Sequence, residues 1–568
     1  MAVDSIRCPH LENRKSRLMD IPRIIATVVF VGSLVLLGDA WLKQNQDTSP
    51  DVTTQPTISE SASTLPTVSS GETIIKSEDT TLPTLTGAPA ESESVTVETD
   101  LFIAEIATNG GGLKELVLKE HHVKGNKNES LRLFELNPSR TYTAEAGLLG
   151  FNLPNHNTKF IAAKSEYSLD EGQNTLQVSL IADTENAKVT KTYTFRRGSY
   201  AIDVAFGLVN RSEEALDADA YFQIIRDGGA ADGDTKFQPT YTGGAVYTEE
   251  SKFTKVDFKD MDRGKVKYPK IANDGWIAFV QHYFVAAWLP ESAAQREYFT
   301  RSLGNNLYAM GYVQKLGSVQ PGELRNVSTR LYAGPQEQDK LKVLSPGLEL
   351  VVDYGWLTIL ASPLFWLLST LHGFIGNWGW SIVLLTLIIK LIFFPLSAAG
   401  YKSMAKMRVL SPRLQQLKES YGDDKQKFQQ AMMELYKTEK INPLGGCMPI
   451  LVQIPFFIAL YWVLLASVEL RDAPFIFWIT DLSAKDPYYV LPVLMALSMV
   501  AQSWLSPAPP DPVQAKVMKI MPVVFSIFFF FFASGLVLYW LVNNVLSIAQ
   551  QWTITRAIEG GKPGNAKR

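Results

Sequence analysis

The chain has 568 residues, of which 46% are hydrophobic and 20% are charged. Its 54 basic and 57 acidic side chains give a net charge of −3, which excludes a protein whose main task is to neutralise nucleic-acid phosphates. The only cysteines are Cys8 and Cys447, so a disulfide scaffold and a zinc site built from cysteines are both excluded.

The N-terminal region contains two segments of opposite character. Residues 1–20 are polar and basic, and the apolar run at 21–42 is long enough to span a bilayer. The run ends without an Ala-x-Ala cleavage pattern, so we predict a signal-anchor helix at 21–42 with residues 1–20 in the cytoplasm. A cleaved signal peptide is the alternative. Residues 43–98 are rich in Ser, Thr and Pro, which predicts a disordered tether on the far side of the membrane from the N-terminus.

Residues 99–352 follow the period-two hydrophobic pattern that is typical of β-strands. Residues 200–208 alternate apolar side chains with small or polar ones, and residues 189–195 alternate in the same way just before them. The turn at 197–199 between the two runs predicts a β-hairpin. Because further strand-like runs follow with few helical patterns between them, we predict a large all-β sandwich domain on the same side of the membrane as the tether.

From residue 353 onward the sequence predicts a polytopic α-helical membrane protein. Residues 353–375 include Pro363 and predict an interfacial helix. Apolar stretches predict five transmembrane helices, at about 378–396, 448–468, 488–505, 517–533 and 535–552. Together with the signal anchor at 21–42, they make six.

The distribution of charge predicts the orientation of these helices. The loop at 397–443 has nine Lys and Arg residues against five Asp and Glu. The positive-inside rule then places this loop, the N-terminus and the basic tail at 557–568 in the cytoplasm. Treating 517–552 as one span is the alternative, and it would place the basic tail outside.

The loop at 397–443 predicts a basic, methionine-rich hairpin of two amphipathic helices. Its apolar residues recur every three or four positions on both sides of a break at 422–424. Methionine adapts to varied apolar partners. The hairpin therefore either lies on anionic lipid headgroups or is a docking site for hydrophobic chains or the ribosome. The candidate docking residues are Met404, Met407, Arg408, Phe428 and Met432.

Lys390 lies inside the predicted transmembrane helix at 378–396. A lysine near the centre of a membrane helix costs about 2.5–3.5 kcal/mol, and none of the other predicted core spans contains Asp or Glu to pair with it. We therefore predict that Lys390 faces a water-filled recess open to the cytoplasm, with Thr386 on the same helical face. Snorkelling of the lysine to the headgroups is the alternative.

Uncharged polar side chains occur in or near the other core spans. They either line the same recess or join neighbouring helices, and they are Gln453, Gln502, Ser534, Asn543, Asn544 and Ser547. Tyr539 and Trp540 could form an apolar slide opposite them. The candidate substrate-groove residues are Lys390, Thr386, Gln453, Tyr539, Trp540 and Asn543.

Signals of an enzyme are weak. The sequence has no Walker loop, no dinucleotide glycine fingerprint and no His-Glu-x-x-His motif. His282 lies in a predicted strand, and the sequence does not indicate which residue it contacts, so a structural role is expected. We predict a protein that is not an enzyme and that uses no cofactor and no metal.

The membrane half resembles the YidC family of membrane protein insertases, in the form with a large periplasmic domain found in the inner membrane of Gram-negative bacteria. The resemblance rests on seven motifs in matching order: GNWGWS at 376–381, MAKMR at 404–408, GDDKQ at 422–426, NPLGGC at 442–447, SVELR at 467–471, DPYY at 486–489 and SGLVLY at 534–539. The domain at 99–352 is similar to the family's periplasmic β-supersandwich, which is itself similar to sugar mutarotases.

The resemblance implies a five-helix insertase core around a hydrophilic groove that is open to the cytoplasm and to lipid. It implies partners, namely nascent membrane proteins, the Sec translocon, the ribosome and membrane lipids, and a further role as a chaperone. Lys390 matches the family's positive charge in the first core span, which is usually Arg; the charge is kept but the bidentate fork is lost.

Two other functions remain open from the residues alone. A secondary transporter could use Lys390 as a proton or anion site, although no inverted repeats are visible among the spans. A periplasmic sugar-binding or sugar-converting protein could be merely anchored by the spans, but this leaves the basic hairpin and Lys390 unexplained.

Overall fold

The computed structural model describes residues 93–123, 126–231, 240–291, 293–421, 424–439, 448–505 and 512–560. The predicted signal anchor, the predicted tether up to residue 92 and the last eight residues of the basic tail lie outside these ranges. Residues 94–98, which the sequence assigns to the tether, form a β-strand instead, because alternate apolar side chains in it are buried. The described strands between residues 94 and 335 form two mostly antiparallel sheets. These two sheets together are called the β domain below. The predicted all-β domain built from two sheets is therefore confirmed.

The strands of the β domain, in chain order, are β1 (Ser94–Glu98), β2 (Phe102–Ala107), β3 (Leu113–Val123), β4 (Asn126–Asn137), β5 (Arg140–Leu149), β6 (Ile161–Ala162), β7 (Glu166–Ser168), β8 (Thr175–Asp183), β9 (Ala187–Arg196), β10 (Ala201–Asn210), β11 (Leu216–Asp227), β12 (Gly243–Thr248), β13 (Lys252–Val256), β14 (Ile271–Ala272), β15 (Trp276–Gln281), β16 (Phe284–Leu289), β17 (Arg296–Gly304), β18 (Leu307–Val319) and β19 (Leu324–Pro335). The ten-stranded sheet has the order β14-β17-β18-β11-β5-β4-β3-β2-β1-β7, and the nine-stranded sheet has the order β13-β12-β15-β16-β19-β10-β9-β8-β6.

The period-two pattern predicts the pairing of β9 with β10 correctly. The two strands are antiparallel neighbours, with Ile202 opposite Phe195 and Leu208 opposite Val189. The inward side chains of β9 are buried, and the intervening ones are only half-buried. β15 and β16 are instead buried along their whole length. Such continuous burial is expected where both faces of a strand are covered.

The described helices, in chain order, are α1 (Phe258–Asp262), α2 (Gln338–Leu344), α3 (Thr358–Ile375), α4 (Trp378–Ile392), α5 (Phe394–Tyr421), α6 (Lys425–Thr438), α7 (Met448–Ala466), α8 (Val490–Leu505), α9 (Pro512–Ser526) and α10 (Ser534–Gly560). Short 3-10 turns lie at Leu348–Val351, Gly355–Leu357, Val468–Leu470 and Ile527–Phe531. The segment 345–357 connects α2 to α3. Its buried side chains, including Leu348, Val351 and Tyr354, join the β domain and the helices in one hydrophobic core.

Among the described helices, one segment has the length and apolar composition needed to cross a membrane. It is Gly355–Ile375, which the sequence predicts as an interfacial helix. The pair Trp378–Ile392 and Phe394–Leu410 passes the same test together but is bent by 68°. The apolar segments Val452–Ala466 and Val490–Leu505 are shorter. The count of six transmembrane helices therefore stays a prediction.

The ends of two predicted segments differ from the helices that form. α4 ends at Ile392 and the chain bends into α5 at Phe394, so the first helix of the hairpin begins before the predicted residue 397. The apolar stretch after residue 517 breaks after the 3-10 turn Ile527–Phe531, and α10 begins at Ser534. α10 continues to Gly560, beyond the predicted end at 552.

Candidate functional site

Lys390 is buried in the last turn of α4, with 3% of its surface exposed. Its Nζ donates a hydrogen bond of 2.7 Å to Ser547 Oγ on α10. Ser547 Oγ in turn donates to the Asn543 carbonyl at 2.7 Å and also bonds the Tyr401 hydroxyl of α5. Among the residues that the structure describes, no carboxylate lies within ion-pair distance of Lys390. The cation is therefore held by neutral groups, which leaves its charge uncompensated.

Thr386 lies one turn before Lys390 on the same helix. Its side chain is also buried, and its hydroxyl donates to the Ile382 carbonyl at 2.7 Å. This bond to the carbonyl four residues earlier satisfies the hydroxyl within α4. Thr386 can therefore lie near Lys390 in an apolar surrounding without a partner on another helix.

Polar side chains on one face of α10 join it to the neighbouring helices. Gln453 Nε2 of α7 donates to Asn543 Oδ1 at 3.2 Å. Asn544 Nδ2 donates to Ser498 Oγ of α8 at 2.8 Å, and Gln551 Nε2 donates to a carbonyl at the end of α8. Together with Ser547, these residues recur at helical spacing along α10. Of the predicted groove residues, Lys390 of α4 and Gln453 of α7 therefore both contact α10, which carries Asn543.

Tyr539 and Trp540 pack inside the helix bundle. Both are buried, and the Trp540 ring stacks on Phe457 of α7 with centroids 5.3 Å apart and planes 3° apart. Phe529 meets the edge of the Trp540 ring at 4.6 Å. In this state the two residues are covered by other aromatic rings. A role as an apolar slide requires these rings to separate.

The helices α5 and α6 form a hairpin with a small core of its own. Asp424 caps α6 by accepting from two backbone amides, and Arg413 pairs with Glu439 at 2.6 Å. Leu410, Leu414 and Tyr436 are buried between the helices, and the predicted docking residues Met407 and Met432 pack against them. Met404 and Phe428 are half-buried, and Arg408 is exposed. Two of the five candidate docking residues therefore also stabilise the hairpin itself.

The hydrogen bond to Ser547 is the feature of the site that sequence reasoning did not single out. Ser547 is one of several uncharged polar residues in the last stretch, and Tyr401 falls in the predicted cytoplasmic loop. The spacing of four residues between Asn543 and Ser547 places both on one helical face. That spacing was the available signal, but it does not indicate which face meets Lys390.

Comparison with known proteins identifies the family. A family model described as "YidC periplasmic domain" matches residues 94–367, and one described as "60Kd inner membrane protein" matches residues 370–561. The curated "Membrane protein insertase YidC" of Aromatoleum aromaticum is 53% identical over 550 residues, covering 96% of this chain and 99% of that protein. The chain belongs to the YidC family of membrane protein insertases. The family's member from Nitrosospira multiformis is 50% identical over 97% of this chain and 99% of its own length.

Among solved structures, "Active YidC insertase crystal structure with the first transmembrane domain resolved" aligns with a TM-score of 0.39 and 19% identity. The alignment covers 81% of this chain and 92% of that chain.

Proposed function

We propose that this chain inserts membrane proteins by taking the polar flank of a nascent chain to Lys390 and then releasing the apolar segment into the lipid. The observation that carries the proposal is the burial of Lys390 without a carboxylate partner among the described residues. Among the described residues, the neutral Ser547 Oγ accepts the hydrogen bond of this buried cation. An acidic or polar flank can replace that acceptor and supply the missing negative charge.

The magnitudes favour such an exchange. Placing a lysine at the centre of a membrane helix costs about 2.5–3.5 kcal/mol. Two opposite unit charges 4 Å apart attract each other by about 4 kcal/mol at an effective dielectric constant of 20. The attraction of a substrate carboxylate is therefore comparable to the cost of burying the lysine. No covalent step is needed, and burial of the apolar segment in lipid completes the insertion.

The remaining parts of the chain suit the same task. The α5–α6 hairpin is basic and rich in methionine. We therefore propose that it receives hydrophobic nascent chains and that it also contacts lipid headgroups and the ribosome. The short helix α9 and the 3-10 turn after it would thin the bilayer locally and lower the cost of crossing. We place the protein in the bacterial inner membrane, with both termini cytoplasmic and the β domain periplasmic. It acts alone or with the Sec translocon, and also as a chaperone.

The test compares Lys390→Ala with Lys390→Arg in proteoliposomes. Ribosome-stalled chains of one single-span protein are presented with either an acidic or a neutral translocated flank. We expect Lys390→Ala to reduce insertion of the acidic-flank substrate several-fold, and Lys390→Arg to retain it because the charge remains. Lys164→Ala, at an exposed lysine of the β domain, is the matched control. Normal insertion of both substrates by Lys390→Ala would refute the role of the charge.

A further inference from the structure

Residues 467–489 join α7 to α8, and their first part, residues 467–486, is called the strap below. It lies at the end of the helix bundle that meets the β domain. Arg471 of the strap donates to the His122 carbonyl of β3, and its guanidinium lies over the rings of Tyr283 and Phe284. Lys127 of β4 donates to the Thr480 carbonyl at 3.3 Å. The strap is thus in contact with the β domain on one side.

The strap also holds the first turn of α4. Asn377 is the N-cap residue, and its Oδ1 accepts from the Trp380 amide at 3.1 Å. Its Nδ2 donates to the carbonyls of Pro474 at 3.3 Å and Phe475 at 3.2 Å. One side chain therefore performs two separable tasks, because its oxygen caps the helix and its nitrogen binds the strap.

Close packing reinforces this contact. A Cβ atom at Gly379 would overlap the Phe475 ring, so the approach of the strap to α4 requires glycine at that position. The Trp380 ring meets Phe475 edge-on, with centroids 5.3 Å apart. The strap therefore lies against α4 through a hydrogen-bonded side chain and an aromatic contact that fix its distance from the helix.

The strap holds the first turn of α10 in a similar way. The amide and the hydroxyl of Ser534 both donate to the Ala484 carbonyl, at 2.7 and 2.8 Å. The Gly535 amide donates to the Leu482 carbonyl at 2.9 Å. These bonds satisfy amides that a helix leaves without intrahelical partners at its start. α4 and α10 thus begin on one short segment of backbone.

Because α4 and α10 both begin at the strap, Lys390 lies opposite Ser547. Lys390 lies thirteen residues after Asn377, and Ser547 lies thirteen residues after Ser534. Each is about 20 Å along its helix from the strap, at about 1.5 Å per residue. Sliding one helix by a single residue would therefore shift the pair by about 1.5 Å. Such a shift would stretch or misalign the 2.7 Å hydrogen bond between Lys390 Nζ and Ser547 Oγ, unless the lysine side chain changed its rotamer.

We propose that Asn377 is a positioning residue, which sets the axial position of α4 against α10 by donating to the strap and so holds Lys390 at Ser547. The inference deepens the proposed function and rests on it for the role of Lys390. It gives four of the sequence motifs one shared task, because 376–381, 467–471, 486–489 and 534–539 all lie within the strap or at the helix ends that it contacts.

The test separates the two tasks of Asn377. Asn377→Asp keeps an oxygen for the Trp380 amide but loses both donors to the strap, whereas Asn377→Ala loses the cap and the donors. Spin labels at Leu391 of α4 and Val545 of α10, both exposed, report the relative position of the helices near Lys390 by dipolar broadening. The labels are placed in the full chain with Cys8 and Cys447 replaced by serine, and Asn174→Asp serves as the surface control.

We expect Asn377→Asp and Asn377→Ala to broaden the distance distribution alike, and both to lower insertion of the acidic-flank substrate several-fold with less effect on the neutral one. A wild-type distribution in Asn377→Asp, with or without a change in Asn377→Ala, would overturn the inference. If Lys390→Ala inserts normally, the proposed function fails, but the spin-label comparison still decides whether Asn377 positions the helices.

Discussion

Replacing Lys191 with methionine should change how the stability of the β domain depends on pH. Lys191 lies on β9, fully buried between the two sheets. Its Nζ donates to the carbonyls of Ala146 at 3.0 Å and Gly110 at 3.3 Å, and it lies over the rings of Tyr193 and Phe206. Burial lowers the pKa of the Lys191 ammonium from 10.5 to about 7, although the charge of Glu145 opposes this change.

The sign of the effect follows from proton linkage. Below pH 7 the lysine is protonated in both the folded and the unfolded chain, so it adds no pH dependence. Between pH 7 and 10.5 the unfolded chain binds a proton that the folded chain has released, so the free energy of unfolding rises with pH. The limiting slope is about 1.4 kcal/mol per pH unit, which amounts to about 2 kcal/mol between pH 7 and 9.

Urea-dependent hydrogen exchange of β9 peptides, followed by mass spectrometry in the full chain, measures this free energy at each pH. We expect the free energy of unfolding of Lys191→Met to rise less steeply with pH than that of the wild type. This expectation does not depend on how stable the variant is at pH 7. Lys188→Met, on the same strand and half-buried, is the control and should retain the wild-type slope. Equal slopes for wild type and Lys191→Met from pH 7 to 9 would refute the argument that burial lowers the pKa of this lysine.

Two further predictions concern the strap. Burial raises the pKa of Glu469 to about 7, so its carboxyl stabilises the folded chain at low pH and loses this contribution as pH rises from 4.5 to 7, by up to about 3 kcal/mol. Exchange protection of the strap should therefore fall between pH 5 and 7.5, and Glu469→Gln should remove the change. Asp486 accepts from Trp478 Nε1, from the Tyr488 amide and, through its other oxygen, from the Leu491 amide. Asp486→Asn must turn its amide group towards one of these donors, so protection at the start of α8 should fall by about 1–3 kcal/mol.

Each of these predictions has a matched control. Glu171→Gln changes an exposed carboxylate of the β domain and should leave the pH dependence of the strap as in wild type. Asp481→Asn keeps the single oxygen that accepts from Ser483, so it should cost less than Asp486→Asn. A pH-dependent strap in Glu469→Gln, or equal protection in the two asparagine variants, would contradict the reasoning.

Local sequence patterns were sufficient for the elements whose partners are near in the chain. The alternation in β9 and β10 predicted both strands and their pairing, because a period of two places every second side chain on one sheet face. Apolar stretches likewise predicted helices in the membrane half. They did not predict the bend at Phe393, since the residues around it are apolar on both sides. The extension of α10 to Gly560 lies in a polar segment, where an apolar stretch gives no signal.

The sequence by itself determined the family, the all-β domain, the helical membrane half and the unusual position of Lys390, because these follow from composition, periodicity and motif order. Only the tertiary structure decided that Lys390 meets Ser547, 157 residues away, and that the strap joins α4 and α10 to the β domain. Periodicity gives the faces of an element but not the element that each face meets. Packing between distant segments settles that choice, because each buried polar group must find its partner there.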